Sequence, residues 1–285
     1  MLRTDLAVES AADYFGEKGI EKSEYSRSGM DVCRIRITEK STAEKLQKPM
    51  GNYITLSKKR LFDYSEDFAD KAQLIAEEIR SFLPDGAVLV AGLGNREITP
   101  DALGPLVADN VLSTRHFRTS AAQTFGLESL RSVSVIATGV LGQTGIETAE
   151  FISSVAEKTK PSAVIVVDAL AARDLSRLTS TVQLCDTGIS PGAGVQNRRT
   201  EITEELLGVP VIAIGVPTVV DAVTMAQSVF GSTNTEKVNP DGYTMMVTTR
   251  DIDTVIKRAS SLIALAINLA LHPELSKDDI LFLNS

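Results

Sequence analysis

The sequence predicts an α/β protein built on a mostly parallel, twisted sheet that is flanked by helices. Two apolar runs of strand length, residues 88–92 and 163–168, lack the alternation of a half-exposed strand. Such runs are typical of parallel strands that helices cover on both faces. A segment of helical character follows each run, and repeated strand–helix–strand units give parallel sheets with right-handed crossovers.

Length and composition favour a single acidic domain. The 285 residues are enough to bury a full core, and we expect one domain over residues 1–285. A net charge of −8 argues against a general nucleic-acid binder. The start of the chain lacks the pattern of a signal peptide and no apolar run looks long enough to span a membrane, so we expect a cytoplasmic protein without membrane contact. Cys33 and Cys185 lie too far apart in sequence for a CxxC metal site, and we expect both to be reduced.

The first third of the chain is the least determined. Residues 1–31 are polar and contain a segment, 5–15, that is compatible with a helix or with an extended chain. The elements expected after it are a half-exposed strand at 33–38, a helix at 41–48 that Pro49 ends, a strand at 51–56 and a helix within 65–83.

From residue 87 onward the pattern is regular. The expected strands are 87–92, 132–137, 163–168, 181–185 and 210–215, and the expected helices are 100–112, 145–158 and 218–229. Residues 251–271 form a long, apolar-striped helix that we assign to the core or to subunit packing.

Two carboxylates stand where predicted strands give way to helices. Asp168 follows the run 163–167, and Asp101 lies in a helix start where Thr99 fits an N-cap and Pro100 the first helical position. In parallel sheets ligands bind outside the carboxyl ends of the strands, so both carboxylates are expected to face one cleft. The alternative for Asp168 is that it only caps the next helix.

Two glycine-rich loops follow strands at 138–147 and 186–199. Glycine lets backbone N–H groups approach a ligand closely, although surface loops also need glycine for turns alone. Neither loop has the Gly-Lys-Ser/Thr of a P-loop, and the glycines at 92 and 94 lack the spacing of a dinucleotide fingerprint. The sequence predicts no cofactor.

The carboxylate pair carries the predicted chemistry. Asp101, in the first turn of a helix, is expected to stay ionised because free N–H groups stabilise its charge. Asp168 is expected to be protonated because burial and the charge of Asp101 both raise its pKa. Histidine-based catalysis and zinc ligation are poorly supported by the two histidines and two cysteines. No metal is predicted, although carboxylates such as Asp101, Glu147 and Asp168 could hold a hard cation.

Several motifs in order resemble a known family. They are Arg3–Glu9, the run from Gly92 to Pro105, Thr114-Arg-His116, Gly145-Ile-Glu147, Asp168–Arg173, the segment Thr187–Gly194 with Asn197, and Leu207–Asp221. Together they are similar to the germination protease of spore-forming bacteria. The resemblance runs from residue 3 to the final helices, and it implies a fold similar to that of hydrogenase maturation proteases, within the phosphorylase-hydrolase-like group.

The resemblance also implies an activity. It implies an atypical aspartic endopeptidase that forms a homotetramer in the spore core and degrades small acid-soluble spore proteins at germination. By motif, Asp101 and Asp168 are the catalytic aspartates. Residues in the same motifs are expected to bind substrate: Asn95, Thr144, Glu147, Arg173, Gly192 and Gly194. A zymogen is implied too, with residues 1–5 as a propeptide removed by self-cleavage between Asp5 and Leu6, because Thr4–Glu9 is similar to the acidic sequence that the family cuts.

Other classes stay open at this point. A glycine-rich α/β protein with acidic residues at strand ends fits a nucleoside-type hydrolase or phosphorylase, or a maturation protease that senses a metal through carboxylates. A non-enzymatic scaffold is a third option, against which only the site argument counts.

Overall fold

The computed structural model describes residues 4–118, 130–192, 199–231 and 245–283. The strands are β1 (Ile20–Arg27), β2 (Met30–Ile37), β3 (Gly51–Ser57), β4 (Val88–Gly92), β5 (Val133–Ala137), β6 (Ala163–Ala172), β7 (Thr181–Cys185), β8 (Val211–Asp221) and β9 (Met246–Val247). The α-helices are α1 (Ala7–Ser10), α2 (Lys40–Leu46), α3 (Phe68–Arg80), α4 (Leu103–Asn110), α5 (Leu141–Thr144), α6 (Thr148–Thr159), α7 (Glu204–Leu207), α8 (Ala222–Phe230), α9 (Ile252–Leu271) and α10 (Lys277–Leu283).

One sheet runs through the described residues in the order β1-β2-β3-β7-β8-β6-β4-β5, and β9 pairs with β8. The α/β class with flanking helices is confirmed. The sheet is mixed, however. The pairings of β5 with β4, β4 with β6 and β6 with β8 are parallel, while those of β1 with β2, β2 with β3, β3 with β7, β7 with β8 and β8 with β9 are antiparallel. The expected parallel sheet is therefore the half that carries the predicted aspartates. The assignment of residues 1–285 to one domain, with residues 1–5 as a short propeptide-like segment, stays a prediction.

The two faces of the sheet pack against different elements, and we call them the helical face and the cleft face. On the helical face, Ile165 and Val167 of β6 pack with α3, α4 and α9. On the opposite face, which we call the cleft face, Val164 and Val166 pack with α6 and with apolar residues of the N-terminal segment, residues 4–11. Because side chains alternate along a strand, Asp168 belongs to the cleft face.

Strand β6 is longer than predicted. It pairs with β4 only as far as Val167 and continues along β8 to Ala172, with a register shift between Leu170 and Ala171. Asp168 is thus the first residue of β6 beyond the end of β4, and it lies within a strand. It does not cap a helix, and the expectation that the strand ends at Asp168 is wrong.

The start of α4 also differs from the prediction. Residues Thr99–Asp101 form a short 3-10 helix whose N-cap residue is Ile98, without a side-chain cap, and α4 begins only at Leu103. The assignment of Thr99 as N-cap is therefore wrong. Asp101 closes a tight turn ahead of α4.

Helix α9 is a core helix by packing. Its 20 residues are long and apolar enough, by length and composition alone, to cross a membrane, and this corrects the expectation that no run reaches that length. The most apolar part of the helix is 67% buried inside the protein, where α9 packs against α3 and α4. Buried core helices of soluble proteins have the same length and composition, so this helix is weak evidence for a membrane span.

Candidate active site

A cleft of about 1590 Å³ opens on the cleft face, beside the part of β6 that extends beyond the end of β4. Asp101 and Asp168 both line it, together with Thr4 and Asp5 of the N-terminal segment. The predicted meeting of the two carboxylates at one site is therefore what the structure shows.

Asp168 is the more deeply buried of the two carboxyls, with 6% of its surface exposed. Its Oδ1 accepts a hydrogen bond from the backbone N–H of Ala169 at 2.9 Å. Burial raises its pKa well above the usual range, and the charges of Asp101 and Asp5 act in the same direction. The prediction of a protonated Asp168 has this physical basis.

Asp101 is held by the loop that follows β4. Its Oδ2 accepts a hydrogen bond from the backbone N–H of Asn95 at 2.8 Å. The loop passes so close that a Cβ on Gly94, which has a φ of +111°, would stand 2.1 Å from the backbone oxygen of Asp101. Glycine is needed at position 94 for both reasons.

The electrostatics of Asp101 differ from the expectation. We expected helix N–H groups to stabilise its charge, but burial raises its pKa and the N–H of Asn95 only opposes that effect. Asp101 ends a 3-10 turn ahead of α4, and the N–H group that its carboxylate accepts is that of Asn95 in the loop after β4. The pKa of Asp168 is nevertheless raised more strongly, because Asp168 is more buried and the charge of Asp101 raises its pKa further. The two environments therefore still separate the two carboxyls.

The predicted substrate-binding residues divide into two groups. Glu147, Arg173 and Gly192 line the cleft, and Glu147 pairs with Arg199 at 3.6 Å. Asn95 and Thr144 lie outside the lining: Asn95 supports Asp101, and the Thr144 hydroxyl is engaged with the backbone of Ile146 and Val140. Gly194 lies outside the described residues. Substrate binding by these residues stays a prediction.

The N-terminal segment lies in the cleft and binds β6. The backbone N–H of Asp5 donates to the oxygen of Ala171 at 2.9 Å, and the N–H of Ala171 donates to Oδ2 of Asp5 at 2.8 Å. The next side chain, Leu6, is completely buried. An acidic residue and the apolar residue after it are thus both held by the protein.

A second acidic residue of the segment is held in the same way. Glu9 is 3% exposed, and its carboxylate accepts hydrogen bonds from the backbone N–H groups of Arg173 and Asp174 at 2.8 and 2.9 Å. The hydroxyl of Thr4 donates to the same carboxylate. Main-chain N–H groups at the end of β6 therefore bind both carboxylates of the segment.

Two polar residues of the cleft were missed by the sequence analysis. The amino group of Lys48 donates to the backbone oxygen of Asp5 at 2.9 Å, and Nε2 of Gln183 donates to the same oxygen at 3.1 Å. A signal existed for Gln183, because it is a polar residue within the apolar strand Thr181–Cys185. Lys48 follows α2 within a polar stretch of the sequence and has no comparable signal there.

We find no cluster of three or more metal-binding side chains of the His, Cys, Asp or Glu type within the residues that the structure describes. Asp101, Asp168 and Glu147 do not form one among those residues, and Glu147 is paired with Arg199.

Comparison with known proteins identifies the family. The sequence model of the germination proteases matches residues 4–231. The chain is 41% identical to the germination protease of Caldanaerobacter subterraneus subsp. tengcongensis, with 98% of this chain and 97% of that protein covered. The germination proteases of Clostridium tetani and Bacillus velezensis are 39% and 37% identical, again over 98% of this chain, and the alignments cover 98% and 95% of those proteins.

A comparison of structures finds the NiFe hydrogenase maturation protease HycI from Thermococcus kodakarensis KOD1. The TM-score is 0.37 and the identity 16%, over 67% of this chain and 98% of that one. At this level the similarity carries no argument about mechanism. The sequence relatives do not favour the nucleoside hydrolase or maturation protease alternatives. With its family model matched over most of its length and its relatives aligned along nearly all of it, the chain belongs to the germination protease family and is a peptidase.

Proposed function

We propose that the protein is an aspartic-type endopeptidase that cleaves small acid-soluble spore proteins in the spore core at germination, with Asp101 and Asp168 as its catalytic pair. The observation that carries the proposal is that both carboxyls line one cleft together with an acidic segment of the same chain. Family membership supports the germination role.

The two aspartates have different tasks in this proposal. Ionised Asp101 takes a proton from the attacking water, and protonated Asp168 supplies one to the peptide group that is cut. The deeper burial of Asp168 and the charge of Asp101 support this division, because both favour a proton on Asp168.

The protein is made as a zymogen that cuts itself between Asp5 and Leu6. The support is the fit of the N-terminal segment, in which Asp5 is bound to Ala171 and Leu6 is buried beside the cleft. A substrate with an acidic residue before the cut bond and an apolar one after it would take the same place.

Asparagine variants test the catalytic pair. Asp101→Asn and Asp168→Asn are nearly isosteric, so each should fold as the wild type does but lose proton transfer, which is worth about 10²–10⁴ in rate. The measurement is the cleavage rate of a purified small acid-soluble spore protein, with circular dichroism as the folding control. Near-normal turnover by either folded variant would exclude that aspartate from catalysis.

The active form is a homotetramer in this proposal. Large apolar side chains on the surface support an assembly, among them Phe230 at 76% and Phe282 at 79% exposed. Light scattering on the purified protein measures the mass directly. A mass equal to one chain of 30.6 kDa under conditions of full activity would contradict the assembly.

A further inference from the structure

The backbone oxygen of Asp5 accepts two hydrogen bonds from side chains that lie far away in sequence. Nζ of Lys48 is 2.9 Å from this oxygen and Nε2 of Gln183 is 3.1 Å from it. This is the oxygen of the bond that the proposed self-cleavage breaks. We infer that Lys48 and Gln183 form an oxyanion hole, which holds this oxygen and stabilises the negative charge that it gains when water attacks. The inference rests on the proposed self-cleavage between Asp5 and Leu6.

The chemistry of the contacts fixes the orientation of the Gln183 amide. Oε1 of Gln183 accepts a hydrogen bond from the backbone N–H of Ala7 at 2.6 Å. A backbone N–H can only donate, so the oxygen of the amide must face Ala7 and its NH₂ group must face Asp5. Gln183 therefore bridges the two sides of the Asp5–Leu6 bond and points a donor at the oxygen of that bond.

The sheet places Gln183 in line with Asp168. Both residues are paired in register with Gly215 of β8, Gln183 from β7 and Asp168 from β6. Side chains that face one another across strands lie on the same face, and two strand spacings separate these two backbones by roughly 10 Å. A peptide group held by Gln183 over this part of the sheet lies on the same face as the carboxyl of Asp168.

The end of α2 positions Lys48. The chain leaves α2 through Gln47, which has a φ of 52°, and the backbone N–H of Lys48 donates to the oxygen of Ala43. The Lys48 amino group then reaches over the N-terminal segment, where it also lies 3.4 Å from the oxygen of Thr4. Burial lowers the pKa of Lys48 and the charge of Asp5 acts against that effect. With or without its charge, the amino group has hydrogens to donate.

In the proposed cleavage the two donors contact the oxygen on which negative charge develops. Water adds to the carbonyl carbon of Asp5 and loses a proton to Asp101, and the carbonyl oxygen becomes negative in contact with Lys48 and Gln183. When the C=O bond re-forms, the C–N bond breaks and its electron pair stays on the nitrogen of Leu6, which takes the proton of Asp168. The products are a carboxyl on Asp5 and an amine on Leu6. Because two donors already stabilise the oxygen, the proton of Asp168 goes to the leaving nitrogen.

Self-cleavage of the full-length chain is the test, followed by mass spectrometry of the N-terminus. Lys48→Met removes one donor, and Gln183→Glu removes the other but keeps an acceptor for Ala7. Loss of one oxyanion donor typically lowers the rate by about 10²–10³-fold. We expect a fall of that size in each variant, with Lys48→Arg retaining more activity than Lys48→Met. Lys257→Met, an exposed lysine on α9 of the other face, is the matched control and should cleave at the wild-type rate.

A second measurement separates stabilisation of the oxyanion from mere anchoring of the segment. Hydrogen exchange of residues 4–11 before cleavage reports whether the segment remains docked. We expect wild-type protection together with slow cleavage. A normal cleavage rate in Lys48→Met and Gln183→Glu would overturn the oxyanion hole, and so would slow cleavage that accompanies lost protection. If the wild type does not cut between Asp5 and Leu6, the proposed self-cleavage fails first and this inference fails with it.

Discussion

At the scale of single residues, the burial of Asp168 has a consequence for stability. Its pKa is raised in the folded protein, so between the unfolded value of about 4 and the folded value the folded state holds a proton that the unfolded state has lost. Stability is therefore unaffected by Asp168 below about pH 4 and falls as the pH rises through this window. The free energy of unfolding falls by about 1.4 kcal/mol for each unit by which the pKa of Asp168 is raised.

Asp168→Asn should remove this cost because an amide does not ionise. We predict that the variant has the same free energy of unfolding as the wild type near pH 4 and a higher one near pH 7. Urea unfolding at the two pH values measures the difference. An equal stability of both proteins at pH 7 would show that the carboxyl at position 168 is not held in its protonated form.

The same scale shows what the sequence could and could not predict about the site. Asp101 and Asp168 were predictable because each follows an apolar run of strand length in the local sequence. Gln183 left a signal as a polar residue within an apolar strand, but its partner could not be predicted, because residues 4–11 lie more than 170 residues away from it along the chain. Lys48 left no such signal, because its role depends on the N-terminal segment lying beside it. The direction of the Asp101 pKa was wrong for a related reason, since a 3-10 turn and a helix start share the same residue preferences.

At the scale of elements, α4 packs unusually close to the sheet, and this contact positions Asp101. A Cβ on Gly104 would stand 2.2 Å from the backbone oxygen of Leu93 and 2.5 Å from that of Val167. Both neighbours are backbone atoms, one in β6 and one directly after the end of β4, and backbone atoms cannot move aside easily. Gly104 therefore sets the distance between α4 and the strands β4 and β6.

Gly104→Ala should push α4 outward and carry Asp101, which lies three residues earlier, away from its place. We predict a loss of about 1–3 kcal/mol in the free energy of unfolding, as for other overpacked sites. A displacement of about 1 Å can also lower activity by about 10²-fold. Gly142→Ala in α5 is the matched control, because a Cβ there meets nothing within 4 Å. Equal activity in the two variants would contradict this role for Gly104.

Element boundaries show the limit of sequence patterns. The hairpin of β1 and β2 was missed because β1 is exposed along nearly its whole length and has no apolar alternation. Its turn did leave a signal, the dipeptide Ser28-Gly29, which is typical of turns. Both residues have positive φ, as tight two-residue hairpin turns require. The extension of β6 to Ala172 was also missed. The residues around Asp168 are compatible both with a strand that ends at this aspartate and with a strand that continues through it.

At the scale of the whole molecule, the N-terminal segment ties the start of the chain to the centre of the sheet. Its two carboxylates bind N–H groups near the end of β6, its backbone binds Gln183, and its apolar side chains join the core of the cleft face. A segment bound in this way is at high effective concentration, and we expect it to block the cleft to other chains. The intact protein is therefore expected to be latent.

Self-cleavage should consequently be a reaction within one molecule. We predict that the half-time of cleavage between Asp5 and Leu6 does not change when the protein is diluted about tenfold, and that processed enzyme does not cut added full-length Asp168→Asn. Asp5→Lys should stop the reaction, because Oδ2 of Asp5 accepts the N–H of Ala171 and lysine offers no acceptor there. N-terminal sequencing over time gives both rates and products. A half-time that lengthens in proportion to dilution would mean that one molecule cuts another. The segment would then bind to its own chain but would be cut only by a second molecule.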